Sequence, residues 1–363
     1  MLVAVLALVV LNVGVSANDD PDPSAPTTLI VTKDLLMNEG TTLPPGIGFD
    51  FELQYIDSYP VLSQTITGFP AGVWVSGGSV PSLGAPVPHP TIPGAIVSTG
   101  TSADLLANIV WPGPGQFDFL LREVDGTTTL VNADGVRETM TYDDTVFGVR
   151  VWVHSGPDGL FVAGVHVFDE GFEQKEDPIF TNTFIREVNG EEDDLGLKVS
   201  KTVAGEMADE TRDFTFTATL TSAAFSTSEG TYTATIVGAG PNEGDIITFT
   251  PPAPTTFTLR HGQTLVFSYL PVGTGFQVVE SNYAPYTPTI DLTVNGTLSA
   301  ITGSDTNAHN VGEALNYAAF TNTLTSTPIT GLIMNSLPFV LVGVAAVGFF
   351  AMTVANKKRR AHE

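Results

Sequence analysis

Lysine is scarce in this chain, and the few positions it occupies are where chemistry could reside. Only six occur, at 33, 175, 198, 201, 357 and 358. Lys33 and Lys201 hold the same place in two matching segments, Leu29-Ile30-Val31-Thr32-Lys33-Asp34-Leu35 and Leu197-Lys198-Val199-Ser200-Lys201-Thr202-Val203. Strand alternation turns each inward, Lys33 with Val31 and Leu35, and Lys201 with Val199 and Val203. An amine on a core face is costly unless it is neutral or hydrogen-bonded. Two more polar groups recur beside it. Glu123 shares a face with Phe117, Phe119 and Leu121, as Glu280 does with Phe276 and Val278. Asn182 falls between Phe180 and Phe184 in the run Phe180-Thr181-Asn182-Thr183, and the identical run Phe320-Thr321-Asn322-Thr323 sets Asn322 between Phe320 and Leu324.

Lys, Glu and Asn on the inner faces of three strands form a coherent chemical set. Burial lowers a lysine pKa, which frees the amine as a nucleophile, and raises a glutamate pKa, which lets the carboxyl carry a proton. The neutral amine attacks the Asn side-chain carbonyl while the glutamate shuttles protons and polarises that carbonyl. Ammonia leaves and an isopeptide bond remains. The alternative for the same residues is a buried Lys–Glu ion pair with a hydrogen-bonded Asn.

The elements that must position these groups are strands. Gly and Pro are abundant, Thr and Val dominate the periodic segments and helical periodicity is scarce, so the expected class is all-β. The 363 residues and 42% apolar content suffice for two cores. The order of elements repeats: Phe214-Thr215-Phe216-Thr217-Ala218 answers Phe49-Asp50-Phe51-Glu52-Leu53, and Pro271 to Phe276 answers Pro112 to Phe117. The chain therefore reads as two tandem Ig-like β-sandwiches, over 27–188 and 196–326, separated by an acidic linker over 189–195. Strands are expected at Phe49–Tyr55, Val146–His154 and Leu160–Phe168, with hairpin turns at Ser155–Gly159 and at Asn295-Gly296. A Pro-rich stretch over 80–94 is expected to be a long loop.

The ends carry addresses. Residues 1–17 fit a signal peptide, an apolar run closing on Val15-Ser16-Ala17, although no basic residue precedes it. A polar, Pro-rich leader over 18–26 is expected to be flexible. From 337 to 355 the chain is apolar and long enough to span a bilayer as a helix, and Lys357-Lys358-Arg359-Arg360 follows, which keeps the tail cytoplasmic. The formal net charge is −25, and since those four basic residues belong to the tail, the remainder is more acidic still. Such a surface repels nucleic acid. There is no cysteine, so covalent reinforcement of an exported chain must come from other side chains.

The Val-Thr-Lys or Val-Ser-Lys opening, the aromatic strand ending in Glu and the closing Phe-Thr-Asn-Thr together resemble the isopeptide-forming pilin domains of Gram-positive surface proteins. The resemblance covers nearly all of the chain between the two ends. It implies a bond from Lys33 to Asn182 served by Glu123, and one from Lys201 to Asn322 served by Glu280. Thr327-Pro328-Ile329-Thr330-Gly331, followed by the apolar span and basic tail, resembles a sortase sorting signal cleaved between Thr330 and Gly331, with Thr327 where leucine is usual. An acyl donor at Thr330 needs an amine, which peptidoglycan or another subunit could supply. Lys175 lies seven residues before Asn182, so alternation puts it on the outward face if the strand extends that far, and the resembling pilins place their acceptor lysine comparably. Lys198 also faces away from the core.

Other signals are weak. The histidines, at 89, 154, 166, 261, 309 and 362, lack ligand spacing, and neither a Gly-x-Ser-x-Gly elbow nor a phosphate loop occurs. No cofactor or metal is expected, and the only catalysis expected is on the chain itself. The sequence points to a sortase-anchored cell-surface structural protein, a pilus shaft subunit with sortase and identical subunits as partners. The competing assignment is a monomeric wall-anchored adhesin for a host or surface ligand.

Overall fold

The computed structural model describes residues 24–59, 66–126, 128–227 and 230–325. The expected signal peptide, most of the leader, the sorting motif at 327–331 and the span at 337–355 lie outside the described residues. Within these residues the chain forms strands, turns and irregular connections without a helix, and so none long and apolar enough to cross a membrane.

The first half contains β1 (Thr32–Asn38), β2 (Phe49–Tyr59), β3 (Trp74–Val80), β4 (Val87–Pro88), β5 (Ala95–Thr101), β6 (Gly115–Glu123), β7 (Asn132–Ala133), β8 (Val136–Thr141), β9 (Val146–Gly156), β10 (Gly159–Asp169) and β11 (Ile179–Val188). One sheet runs β4-β5-β1-β11-β8-β7 and the other β10-β9-β6-β2-β3. Alternate residues of the two sheets meet in one core, with Leu35, Met37, Phe180 and Phe184 from the first and Phe49, Phe51, Phe117, Phe119 and Val149 from the second. That alternation is what a sheet with one wet face requires.

The second half contains β12 (Leu197–Ala204), β13 (Phe214–Thr221), β14 (Tyr232–Val237), β15 (Ile246–Phe249), β16 (Thr255–Leu259), β17 (Thr264–Phe267), β18 (Leu270–Pro271), β19 (Gly275–Ser281), β20 (Thr287–Val294), β21 (Thr297–Thr302), β22 (His309–Asn310) and β23 (Asn316–Thr323). Its sheets run β15-β14-β17-β12-β23-β20-β21 and β16-β13-β19-β22. They enclose a second core that includes Val199, Phe214, Phe216, Val278 and Phe320. The Asn295-Gly296 turn closes β20 on β21 with φ of 47° and 75°, the left-handed values that Asn and Gly tolerate best.

In each half the first and last strands are parallel neighbours, in the same register. Lys33 stands opposite Phe180 and Leu35 opposite Asn182. Lys201 stands opposite Phe320 and Val203 opposite Asn322. The lysine and the asparagine are thus diagonal neighbours on the core face, a separation that a long side chain spans.

The acidic linker is not a loose spacer. The Asn189 amide donates to Gly135 O at 2.8 Å and Gly190 to Phe267 O at 2.8 Å. Strand β18 of the second half pairs with the end of β11, matching Leu270 to Val188 and Pro271 to Glu187. Asn38 exchanges two hydrogen bonds with Phe225, its amide donating at 2.9 Å and its carbonyl accepting at 2.7 Å. Arg186 pairs with Glu138 at 2.6 Å and also with Glu313. Val188 is buried in the second core although its strand begins in the first. The two halves therefore share a polar, hydrogen-bonded junction.

The Pro-rich stretch over 80–94 is a loop with one strand inside it. Val87 and Pro88 form β4 at the sheet edge against β5, where a proline costs no ladder bond. Gly84 N donates to Thr99 O at 2.9 Å, which holds the loop along the same edge.

Candidate functional site

Both sets of three polar residues meet inside their sandwiches. Lys33, Lys201, Asn182 and Asn322 are at most 1% exposed, Glu280 is 1% and Glu123 is 5% exposed. Lysine and asparagine come from the parallel strand pair, and glutamate comes from the facing sheet, on β6 or β19. The aromatic residues of the alternating runs wall the site. Phe51 lies against Phe180 with ring centres 5.1 Å apart, and Phe216 against Phe320 at the same distance. The Lys33 amine lies 4.8 Å from the Phe49 ring centre and the Lys201 amine 4.4 Å from that of Phe214.

In the first half the contacts form a chain. Lys33 Nζ donates to Glu123 Oε2 at 2.7 Å, and Asn182 Nδ2 donates to Glu123 Oε1 at 2.8 Å. In the second half both partners crowd one oxygen. Lys201 Nζ lies 2.6 Å from Glu280 Oε1, and Asn322 Nδ2 donates to the same atom at 2.7 Å. Glu280 Oε2 and Asn322 Oδ1 are buried without a hydrogen-bond partner, and the Lys201 amine approaches its carboxylate at an angle unsuited to a hydrogen bond. Orphaned buried polar atoms are expensive, so this cluster needs a reason.

Electrostatics favours exchange of a proton within each pair. Burial lowers the Lys33 amine from the usual lysine range, against the pull of Glu123, and raises the Glu123 carboxyl, against Lys33 and Asn182. Burial lowers Lys201 to about 8 and raises Glu280 in the same way. Desolvation disfavours both charges, which narrows the gap between the ion pair and the neutral amine with a protonated carboxyl.

One expectation about the chemistry changes. Glutamate was expected to polarise the Asn carbonyl, but Glu123 contacts the Asn182 NH2 group. The Asn182 carbonyl oxygen instead accepts the backbone N–H of Asp143 at 2.8 Å. Asp143 carries no sequence signal for this role, because its N–H reaches the site only through the fold of the loop between β8 and β9.

The other candidates are dispersed. Lys175 is exposed, as expected, but strand alternation is not the cause. It precedes β11 and forms an isolated bridge to Phe168, with Nζ 3.3 Å from His166 Nε2. A groove beside it is lined by Thr28, Ile30, Val167, Glu176 and Pro178. Lys198 Nζ donates to Glu192 O and, at 3.2 Å, to Asp193 O, so it is engaged with the linker. Arg122, next to Glu123 in sequence, points the other way, pairing with Glu52 at 2.8 Å and stacking 4.2 Å from the Trp74 ring centre. Among the described residues no three His, Cys, Asp or Glu side chains form a group that could hold a metal ion.

Residues 195–323, which span the second half, match the family model described as domain of unknown function (DUF7601). No curated protein matches the chain. Among solved structures, the chain is similar to the major pilin from Streptococcus pyogenes at 20% identity and a TM-score of 0.37, covering 82% of this chain and 98% of that one. The major pilin protein T3.2 from a Streptococcus pyogenes serotype matches at 18% identity and a TM-score of 0.35, covering 83% and 99%. A pilus-presented adhesin matches over 50% of this chain and 35% of its own, at 19% identity and a TM-score of 0.27.

Proposed function

We propose that this chain is a sortase-anchored cell-surface structural protein, a pilus shaft subunit whose two Ig-like sandwiches each close an intramolecular Lys–Asn isopeptide bond. Lys33 joins Asn182 with Glu123 as proton shuttle, and Lys201 joins Asn322 with Glu280. One observation carries this. The same three residues, in the same register, are buried together in both halves of a chain that has only four lysines ahead of its basic tail. A buried ion pair serving stability alone is a poor explanation, since well-packed apolar residues do as well or better. Bond formation removes the charged amine from the core.

The mechanical role follows from topology. Each bond ties the first strand of a half to the last, so tension entering at one end of a half leaves at the other through a covalent link. The sandwich between them is bypassed. A chain without cysteine thereby acquires staples that are independent of redox conditions.

Thr327-Pro328-Ile329-Thr330-Gly331 serves as the sorting motif in this proposal, with Thr330 as acyl donor after the sortase cuts. Lys175 is the acceptor on the next subunit. Its exposed amine lies beside a groove, whereas Lys33 and Lys201 are enclosed and Lys198 is tied to the linker. The test is a denaturing gel of cell-wall extract. A ladder of covalent multimers that disappears in Lys175→Ala supports the shaft subunit. A single wall-linked band in the unaltered protein overturns polymerisation and leaves the solitary adhesin, a role that no surface feature among the described residues specifically favours.

A further inference from the structure

The two sites differ in what meets the asparagine carbonyl oxygen, and that difference bears on how fast each would react. Asn182 Oδ1 accepts Asp143 N–H at 2.8 Å while its Nδ2 donates to Glu123. Donor on one side and acceptor on the other fix the amide: carbonyl oxygen toward the loop, NH2 toward the carboxyl. The Asp143 side chain holds this geometry. Its Oδ2 accepts Thr181 N–H at 2.6 Å, from the residue before Asn182, and its Oδ1 accepts Thr145 N–H at 3.0 Å. The carboxylate thus clamps the β8–β9 loop onto β11 beside the reacting residue. In the second half Asn322 Oδ1 is buried without a hydrogen-bond partner among the described residues. Pro288 of β20 stands opposite Asn322 and has no N–H to offer.

We propose that the Asp143 backbone N–H is the oxyanion donor for the first isopeptide bond, that the Asp143 carboxylate is its positioning group, and that the second site lacks an equivalent. This rests on the isopeptide reading above. Glu123 first takes a proton from the Lys33 ammonium. The free amine then forms the Nζ–Cγ bond to Asn182 as the carbonyl π pair moves onto Oδ1, where Asp143 N–H stabilises the charge. Glu123 passes its proton to Nδ2, the Cγ–Nδ2 bond breaks with its pair on nitrogen, and ammonia leaves. The carbonyl re-forms and Glu123 takes the remaining extra proton from Nζ. A cleft lined by Asp125, Asp144 and Thr145 runs beside Glu123 and Asp143. Losing one preorganised oxyanion donor slows acyl chemistry roughly 100- to 1,000-fold. Losing the clamp alone frees the loop without deleting the N–H, so a smaller effect of about tenfold is expected.

The test is to keep the full chain unfolded from synthesis, start folding by dilution from denaturant, quench at intervals and measure the two linked peptides by mass after digestion. All three tryptophans, 74, 111 and 152, lie in the first half, so fluorescence times its folding separately. The expected result is a Lys33–Asn182 link that outpaces Lys201–Asn322, and that slows about tenfold in Asp143→Ala at an unchanged fluorescence rate, with the second link unaffected. Asp143→Asn, which retains one acceptor oxygen, should fall between. An Asp143→Ala link rate equal to that of the unaltered chain overturns this proposal while leaving the crosslinks standing. Absence of both links in the unaltered chain overturns the crosslinks themselves and this proposal with them.

Discussion

Replacing Glu280 by Gln keeps the shape of the side chain and removes its ability to carry a proton between Lys201 and Asn322. The account requires that the second bond then fails to form, so the chain retains one ammonia. The energetic consequence can be worked out. Lys201 and Asn322 close a loop of roughly 120 residues, and chain-entropy bookkeeping for a crosslink of that span gives roughly 5 kcal/mol. A domain of about 130 residues has an unfolding entropy near 0.27 kcal/mol/K, so the loss lowers its Tm by about 15–20 °C. Asn322→Ala should produce a similar fall by another route, because it removes the electrophile and keeps the Lys201–Glu280 pair. The double variant should fall little further, since one bond cannot be lost twice. Melting followed by far-UV circular dichroism reads the change, and tryptophan fluorescence reports on the first half as an internal comparison. If the mass rises by one ammonia while the Tm stays within about 3 °C, the loop-closure reasoning is wrong.

Three further outcomes follow from the same geometry. The second bond should form fastest when the Lys201–Glu280 pair holds one proton between them. Its rate should fall in acid, where a second proton blocks the amine, and fall above about pH 8, where the pair loses its last proton and Glu280 has none to give; a rate that keeps climbing through pH 10 would contradict this. Arg186→Ala leaves Glu138, whose side chain is 2% exposed, without its cationic partner at the junction and should cost about 2–3 kcal/mol. Scattering should then show a longer, more variable particle, and unchanged melting and dimensions would refute the junction's role. Pro88→Thr, at the edge strand β4, should shift the Tm by less than about 1 kcal/mol equivalent, because no ladder bond depends on that position.

Much of this was legible from period-two patterns alone. Phe49, Phe51 and Leu53, or Phe117, Phe119 and Leu121, announce a core face, and the polar residue that shares such a face announces a buried polar site. Lys33, Glu123 and Asn182 could be placed in this way because each lies within or at the end of a regular strand. Where the chain leaves its strands the pattern is silent. Lys175 is exposed in the segment between β10 and β11, which folds back antiparallel against the end of β10, and β11 does not extend to it. Asp143 reaches Asn182 through a main-chain N–H in a loop, and a main-chain group carries no side-chain signature. The pairing of β18 with β11 joins Leu270 to Val188 across a sequence gap that no local period connects. Glu191 to Asp194 look like a solvated spacer by composition, yet backbone bonds on either side hold the segment in place.

The central claim is that each sandwich carries a covalent Lys–Asn bond, and the mass of the intact chain isolated from its native host addresses it most directly. The account predicts a mass two ammonias below that calculated from the processed sequence, and digestion yielding one branched peptide joining Lys33 to Asn182 and another joining Lys201 to Asn322. A mass equal to the calculated value, with all four residues recovered in unbranched peptides, would contradict it.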